Sequence, residues 1–525
     1  MSNPESNPYV VATVTDCADV REGLVSLPQL GLDVNTVPDN IHAAIAATEV
    51  NRNLTMINKR RHIAERVVEE LMSKGQFYAH AEQAEFATAM YFDNETKCLE
   101  RIQSDQFQSR LATWLQINRA EGLFDSIISA IEDAAIGGAT SKSIIPERFW
   151  AARGDAIYIS NGIGRITKVT PSKVEIVDNG TDGVLFDCGK TLSPWRLVEP
   201  ADPFETCALF REVSVLDSLD RLALMLWVTS IPTQRGSKPP LALIGTIRSG
   251  KTKFANGLAL LLGIPPRESK ADERKEDDFW AAVDQGGLFT LDNVDSRITW
   301  LPDAVACAST GGTSERRKLY TNGDTVTLRA HAHIILTCAN PAFAEDPGLA
   351  DRLIVVRLNR RTGETSDKAL SDEIARNRDG GLSYIAHILS KSLADTQPAG
   401  RGLNLRHPDY AEWAVRIGRA MGRESEAVAS LRRSENQKAL FCLENDAIGS
   451  AVRSFINQEK TFEGTAAELL GRLVNVDPEF SKTPLSTKSL SKRLGQLWPH
   501  LETVLKVSKT TAHGGSLNYR MEAKE

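Results

Sequence analysis

The sequence lacks the cysteine patterns that indicate metal binding or disulfide bonding. Its seven cysteines are scattered along 525 residues, and no two of them form a C-x-x-C pair. Zinc ribbons need such pairs, and a disulfide framework needs a short, cysteine-dense chain. Neither class of protein is therefore indicated, and buried, unreactive thiols are the default expectation.

Long apolar runs are also missing. The longest apolar stretch, residues 222–228, is far shorter than the roughly 20 residues that a helix needs to cross a bilayer. No N-terminal segment combines a basic start with an apolar core, as a secretory signal would. The sequence therefore predicts a cytoplasmic protein without membrane contact.

An excess of positive charge is absent too, because the formal net charge is −6. The overall field of the protein cannot attract nucleic acid, so any DNA contact must come from local basic patches. The length is too great for one core, and a composition of 42% hydrophobic and 25% charged residues is ordinary for globular proteins. We expect three or four domains.

The most informative motif is the segment Gly245-Thr-Ile-Arg-Ser-Gly250-Lys251-Thr252. It follows an apolar run and precedes a helix-like stretch, which is the setting that a phosphate-binding loop requires. Glycines let backbone N–H groups close around phosphates, Lys251 would reach the β and γ phosphates, and Thr252 would hold Mg²⁺. The alternative, a chance match in an ordinary glycine turn, is disfavoured by this context. ATP and Mg²⁺ are the expected cofactors.

Three further residues follow at a spacing typical of motor ATPases. Asp292 ends a short apolar strand 41 residues after Lys251 and could help to hold Mg²⁺. Asn340 ends another apolar strand 48 residues later and could orient the attacking water, and Arg352 could enter a neighbouring subunit's site. Each signal is weak alone, since an arginine before a strand is usually a solvated flank. Their order and spacing carry the prediction of catalytic roles for Lys251, Asp292, Asn340 and Arg352.

A hairpin signal lies between Asp292 and Asn340. The dipeptide Asn322-Gly323 favours a tight turn between two short strand-like segments. The cations around it that could contact DNA phosphates are Arg316, Arg317, Lys318 and Arg329. The alternative is a surface hairpin with solvated charges.

These motifs resemble the ATPase module of superfamily 3 helicases, in particular the primase-helicase type ATPases of phages, plasmids, genomic islands and large DNA viruses. The resemblance covers about residues 205–365, and its most specific part is segment 309–329, with its Arg-x-Leu-Tyr sequence. It implies an AAA+-like P-loop core, a hexameric ring, and a hairpin that projects into the pore of the ring and contacts DNA.

One position departs from this resemblance. Many such ATPases have two consecutive acids at the end of the second strand, whereas Asp292 is followed by Asn293. An amide cannot act as a general base, so water is either only positioned here or activated by Asp295 or another acid. The expected nucleotide contacts are Gly245, Gly250, Lys251, Thr252, Asp292 and Asn293, and the expected Mg²⁺ ligands are Thr252 and Asp292.

The flanking regions differ in pattern, and they predict the remaining organisation. The predicted segments are a poorly ordered stretch (1–40), a mainly helical region (41–150), a small β-rich module (151–204) with its last strand at 183–187, a linker or collar helix (205–235), the ATPase core (236–365), and a helical lid and linker (366–440) with a helix over 367–394. The N-terminal half lacks the paired carboxylates and downstream histidine that would indicate a primase.

The final segment, 441–525, reads as helix, helix, helix, strand, turn, strand, which is the pattern of a winged helix. From Lys482 onward it has eight Lys and Arg residues against three acids, a local balance of +5. The third helix would enter the major groove and the wing would contact the backbone. The candidate DNA contacts are Lys488, Lys492, Arg493 and Lys509. The alternative is a winged helix that binds protein.

The expected fold is therefore α/β, with a P-loop core, an N-terminal α+β region, a β-rich module and a C-terminal winged helix. The leading functional hypothesis is a ring-forming, ATP-dependent DNA helicase or translocase of phage or mobile-element type. The second is a DNA-bound, ATP-binding switch or loader with little hydrolysis, which strand displacement would distinguish. The third is a regulatory NTPase of a defence or signalling system, which failure to bind DNA would favour.

Overall fold

The structure is a computed structural model that describes residues 39–80, 88–138, 141–212, 217–233, 237–295, 297–317, 325–339, 343, 346–360, 365–403, 405–476, 485–511 and 517–524. The chain forms two compact units. Described residues up to 146, together with 163–165 and 178–189, belong to the first, and the others belong to the second. The predicted poorly ordered stretch, 1–40, lies outside the described residues except for 39 and 40, which begin a helix.

The first unit packs helices against a small sheet. Its elements are α1 (Asp39–Val50), α2 (Met56–Lys74), β1 (Gly75–His80), β2 (Ala89–Asp93), β3 (Leu99–Arg101), α3 (Asp105–Leu115), α4 (Gly122–Gly137) and β4 (Lys142–Ile144). The strand order is β3-β2-β1-β4. Thr55 caps α2 by accepting a hydrogen bond from the Asn58 N–H, and Ile63, Val67 and Leu71 form the buried face of that helix. The sheet follows α2 directly, and β1 was not predicted.

The second unit begins with a four-stranded sheet. Its strands are β5 (Trp150–Arg153), β6 (Ala156–Ser160), β7 (Arg165–Val169) and β8 (Val174–Asp178), arranged in sequence order. The strand predicted over residues 183–187 is wrong. Gly180 and Gly183 adopt positive φ values there, which turns the chain, and Leu185 is buried with Phe92 and Leu99 in the first unit. The structure thus divides the predicted module 151–204 between the two units.

A parallel sheet is the centre of the second unit. The elements that build and surround it are α5 (Pro203–Thr206), α6 (Ala208–Glu212), α7 (Ser218–Ser230), β9 (Leu241–Gly245), α8 (Lys251–Leu262), β10 (Glu268–Lys270), α9 (Glu276–Asp284), β11 (Leu288–Asp292), α10 (Leu301–Ser309), β12 (Thr313–Arg317), β13 (Thr325–Arg329), β14 (His333–Cys338), α11 (Pro347–Ala350) and β15 (Ile354–Leu358). The order is β10-β11-β14-β9-β15, and all four strand pairs are parallel. Strands β12 and β13 form a separate antiparallel hairpin. The mixed α/β class with a parallel sheet is therefore as expected.

Both faces of the parallel sheet are covered, which explains the continuous apolar character of its strands. Leu241 and Leu243 of β9 belong to one buried cluster, and Ala242 and Ile244 belong to another. The helices that follow are α12 (Asp367–Ala394), α13 (Pro408–Ala420) and α14 (Glu424–Glu444). The first of these confirms the helix predicted over 367–394. Buried residues of the predicted collar, lid and β-rich module belong to the same cluster as Leu241 and Leu243 of the sheet.

The C-terminal segment has its own apolar core. Its elements are α15 (Ala447–Glu459), β16 (Thr461–Thr465), α16 (Ala466–Val476), α17 (Thr487–Val504), β17 (Leu505–Thr511) and β18 (Leu517–Ala523), with antiparallel strand order β16-β18-β17. The sequence pattern missed β16. At the start of α16, Glu468 accepts a hydrogen bond from Thr465 N at 2.7 Å, and Thr465 Oγ1 accepts one from Glu468 N at 3.4 Å. These two bonds form a capping box.

The described ranges lack membrane-spanning helices and metal-binding clusters. No helix there has the length and apolar character that crossing a membrane requires. The described cysteines form no disulfide, and no three Cys, His, Asp or Glu side chains of these ranges are grouped to hold a metal ion.

Candidate nucleotide site

The carboxyl end of β9 leads through a tight loop into the amino terminus of α8. Gly250, just before the helix, has φ 82°, a left-handed conformation that glycine adopts without strain. At Gly245, a Cβ atom would lie 2.5 Å from the Leu358 carbonyl oxygen and 2.7 Å from Ser249 Oγ. Both ends of the loop therefore need glycine, one for its backbone conformation and the other for space.

Lys251 lies across this loop. Its side chain is buried, and its Nζ donates hydrogen bonds to the carbonyl oxygens of Gly245 at 2.6 Å and Thr246 at 3.1 Å. The first turn of α8 adds the partial positive charge of a helix amino terminus. A buried ammonium group and a helix amino terminus thus meet at one edge of the sheet, where an anion would be stabilised.

Asp292, at the end of β11, joins this loop to the rest of the edge. Its Oδ1 accepts hydrogen bonds from Thr252 Oγ1 at 2.6 Å and from Thr337 Oγ1 at 2.7 Å. Its Oδ2 accepts a third from Asn293 Nδ2 at 2.9 Å. The hydroxyl of Thr252 and the carboxylate of Asp292 are hard oxygen ligands of the kind that Mg²⁺ takes with phosphate oxygens and water.

Thr337 is the site residue that the sequence did not reveal. It lies in the wholly buried strand β14, and besides donating to Asp292 it accepts a hydrogen bond from Asn293 N at 3.0 Å. The available signal was a hydroxyl-bearing residue in an otherwise apolar strand, three positions before Asn340. A buried hydroxyl needs a partner, and here the partner is the carboxylate.

The loop after β11 contains the position where a second acid was expected. Asn293 has a positive φ of 55° and directs its amide toward Asp292. Asp295 accepts a hydrogen bond from Ala339 N at 2.6 Å, so its carboxylate fixes the chain just before Asn340. Asn340 itself lies outside the described residues. Asp295, the alternative base considered from the sequence, is therefore hydrogen-bonded to the chain at the end of β14.

Arg352 lies between α11 and β15. Its Nη1 donates to the Gly348 carbonyl oxygen, and its Nε is buried without a hydrogen-bond partner among the described residues. In those ranges it forms no hydrogen bond or ion pair with Lys251, Thr252 or Asp292. The role in a neighbouring subunit stays a prediction.

The hairpin β12–β13 separates its cations by face. Arg317 and Arg329 are exposed, on the face that alternates outward along both strands. Arg316 points to the other side and forms ion pairs with Glu276 at 2.7 Å and Asp277 at 3.0 Å, in the first turn of α9. Lys318 lies outside the described residues. Arg316 thus forms ion pairs with α9, whereas Arg317 and Arg329 are exposed on the outer face of the hairpin.

The C-terminal candidates divide in the same way. Lys488 and Lys492 are exposed and four residues apart, on one side of α17. Arg493 instead binds Asp446, the capping residue of α15, with Nη2 2.6 Å from Oδ2. Lys509 is exposed, and its Nζ lies 5.0 Å from the ring centre of Trp498. Arg493 therefore has a structural contact that its predicted DNA role did not anticipate.

Comparison with known proteins relates part of the chain to replication proteins of mobile elements. Residues 219–436 match the family of actinomycete integrative conjugative element replication proteins. This match relates the segment to replication proteins of integrative elements. It does not identify a superfamily 3 helicase, which is the class that the motifs resemble. No curated protein sequence matches the chain.

Solved structures similar to the chain include two of the NrS-1 C-terminal region. The apo structure has a TM-score of 0.43 and 11% identity, covering 88% of this chain and 98% of that one. The A-form apo structure has a TM-score of 0.41 and 11% identity, covering 88% and 99%.

Proposed function

We propose that the protein is an ATP-dependent DNA helicase or translocase that serves the replication of a mobile element, works as a ring, and hydrolyses ATP at sites shared between subunits. The observation that carries the proposal is the cluster of Lys251, Thr252, Asp292 and Thr337 at the carboxyl edge of a parallel sheet. Open parallel sheets bind ligands at this edge. The match of residues 219–436 to replication proteins supports the setting.

The residues present fit ATP and Mg²⁺. Lys251 would exchange its bonds to the loop carbonyl groups for phosphate oxygens, and the glycine-bounded loop would wrap its N–H groups around the same phosphates. Thr252 and Asp292, already in contact, would hold Mg²⁺, which supplies charge neutralisation at the phosphates. In this reading the loop is a P-loop and the sheet is an AAA+-like core.

Hydrolysis would use positioning rather than a strong local base. Asn340 would orient water, and Asp295 would hold the chain just before it. Arg352 of one subunit would neutralise charge at the site of the next, where such an arginine accelerates phosphoryl transfer by about 10³- to 10⁵-fold.

DNA would be held at two places. The outer hairpin face, with Arg317 and Arg329, would contact the backbone inside the ring. The C-terminal segment, read as a winged helix, would contact duplex DNA through Lys488, Lys492 and Lys509. These cations are exposed, which favours them over Arg316 and Arg493.

One observation favours a second candidate, an ATP-binding switch or loader with weak turnover. Asn293 occupies the position of a second acid and uses its amide to hold Asp292. An amide cannot take a proton from water, so a site built this way can bind nucleotide and assemble the protein without rapid hydrolysis.

The test is steady-state ATP hydrolysis with no DNA, with single-stranded DNA and with forked DNA, using Asp292→Ala as the blank. The helicase proposal predicts turnover stimulated by DNA, followed by strand displacement. Nucleotide binding and DNA binding without turnover would replace it with the switch. Absence of any DNA binding would instead favour a regulatory NTPase.

If the nucleotide site is shared between subunits, mixing two inactive variants should restore activity. Arg352→Ala and Lys251→Ala should each abolish turnover, and mixing the two variants should restore part of it, because mixed rings contain sites with both groups intact. A mixture as inactive as its components would contradict sharing.

A further inference from the structure

Two consecutive carbonyl groups just before β15 are each bound by a buried side chain from the helical segment after the sheet. His407 Nε2 lies 3.0 Å from the Arg352 carbonyl oxygen. Lys438 Nζ donates to the Asp351 carbonyl oxygen at 3.0 Å. These contacts fix the backbone on which the Arg352 side chain is carried.

The two contacts of His407 identify which of its ring nitrogens carries the hydrogen. A carbonyl oxygen can only accept, so Nε2 carries the hydrogen, and Nδ1 accepts from the Ser237 hydroxyl at 2.8 Å. The side chain is only 4% exposed, and burial lowers the pKa of His407 to about 4, so the ring is neutral near pH 7. This uncharged tautomer joins the segment before β9 to the segment before β15.

Lys438 is an unusual group to bury, since its side chain is only 3% exposed. A buried ammonium is costly unless it is paired and hydrogen-bonded. Glu435 pairs with it at 2.6 Å, and the Asp351 carbonyl oxygen takes another of its donors. An apolar residue would fill this space at a lower desolvation cost. The buried ammonium group is therefore explained by its hydrogen bond to the Asp351 carbonyl oxygen.

We propose that His407 and Lys438 are positioning residues that hold Arg352 at the angle needed to reach the nucleotide site of the neighbouring subunit. This inference rests on the proposed function, because it assigns their effect to the arginine supplied in trans. A displacement of about 1 Å in a catalytic group can cost about 10²-fold in rate. Neither residue touches the nucleotide cluster of its own subunit.

The test measures turnover by His407→Ala and Lys438→Met rings. We expect kcat to fall about 10- to 100-fold with the KM for ATP nearly unchanged. His407→Gln, whose amide can still donate to the Arg352 carbonyl, should recover much of the rate. His42→Ala is the matched control, because His42 Nε2 also contacts a backbone carbonyl, that of Trp114 at 3.1 Å, in the first unit.

Mixing distinguishes positioning from general damage. Rings of His407→Ala and Lys251→Ala subunits should regain turnover as Arg352→Ala mixtures do. A His407→Ala variant that keeps full kcat while Arg352→Ala is inactive would overturn the inference and leave the proposed function standing. If Arg352→Ala itself kept full turnover, the shared site would fall first.

Discussion

Replacing Thr337 by valine tests the arrangement around Asp292 most directly. Valine has nearly the same shape, but it cannot donate to Asp292 Oδ1, now 2.7 Å away, or accept from Asn293 N, now 3.0 Å away. A hydrogen bond to a charged group contributes about 1.5 to 3 kcal/mol, and each 1.4 kcal/mol corresponds to about tenfold. If the bond holds Asp292 in its working position, Thr337→Val should lower turnover about 10- to 100-fold.

Thr337→Ser provides the matched comparison. It keeps the hydroxyl and removes one buried methyl group, which should cost about 1 kcal/mol of stability. Phosphate release, Mg²⁺-dependent ATP affinity and the Tm should be measured for both variants. We expect the serine variant to lose stability with near-normal turnover and the valine variant to lose turnover or Mg²⁺-dependent affinity. Equal turnover by valine and wild-type protein, or equal losses in both variants, would refute a role for the hydroxyl.

Two other perturbations address the C-terminal segment and the His407 contact. Reversing the charges of Lys488 and Lys492 should weaken duplex binding and reduce the slope of log affinity against log salt by about 2, as measured by fluorescence anisotropy, whereas Lys391→Glu on α12 should not. Because the folded pKa of His407, about 4, lies below its ordinary value of 6.5, the unfolded chain binds protons first on acidification. The stability from its neutral form is therefore complete above about pH 6.5 and lost toward pH 4, at most about 3 kcal/mol. Urea unfolding at several pH values should show a shallower decline for His407→Gln, and an unchanged decline would contradict this assignment.

Local sequence patterns predicted what depends on neighbouring residues. The glycines around Lys251 and the helix over 367–394 both follow from short-range spacing, and that helix is present in the structure. The strand expected at 183–187 is absent because this segment, although buried within the first unit, forms only isolated bridges such as that between Asp187 and Leu99. An apolar run indicates that a segment is buried, but it does not show whether the segment pairs continuously with a neighbouring strand.

Long-range partners could not be predicted in this way. Thr337 contacts Asp292 only because β14 lies beside β11 in the sheet, between β11 and β9. The residue pattern within one strand does not predict which strands will be its neighbours. The same reason applies to Arg316 and Arg493, whose acidic partners come from α9 and from the cap of α15. The sequence predicted which segments are basic, but tertiary contacts determine which cations of those segments are exposed.

The sheet order also bears on how one subunit could influence the next. Strand β9 ends at the predicted phosphate loop and pairs with β15 along its whole length, from Leu241 beside Ile354 to Gly245 beside Leu358. Arg352 precedes β15, Ile354 N donates to the Pro240 carbonyl oxygen at 2.8 Å, and His407 links the Arg352 carbonyl to Ser237. The predicted nucleotide loop and the arginine predicted to act in a neighbouring subunit thus lie at opposite ends of one hydrogen-bonded strand pair. Under the proposed function, a shift of β9 on nucleotide binding would reach Arg352 through the hydrogen bonds of this strand pair, and the contacts of His407 and Lys438 would oppose it.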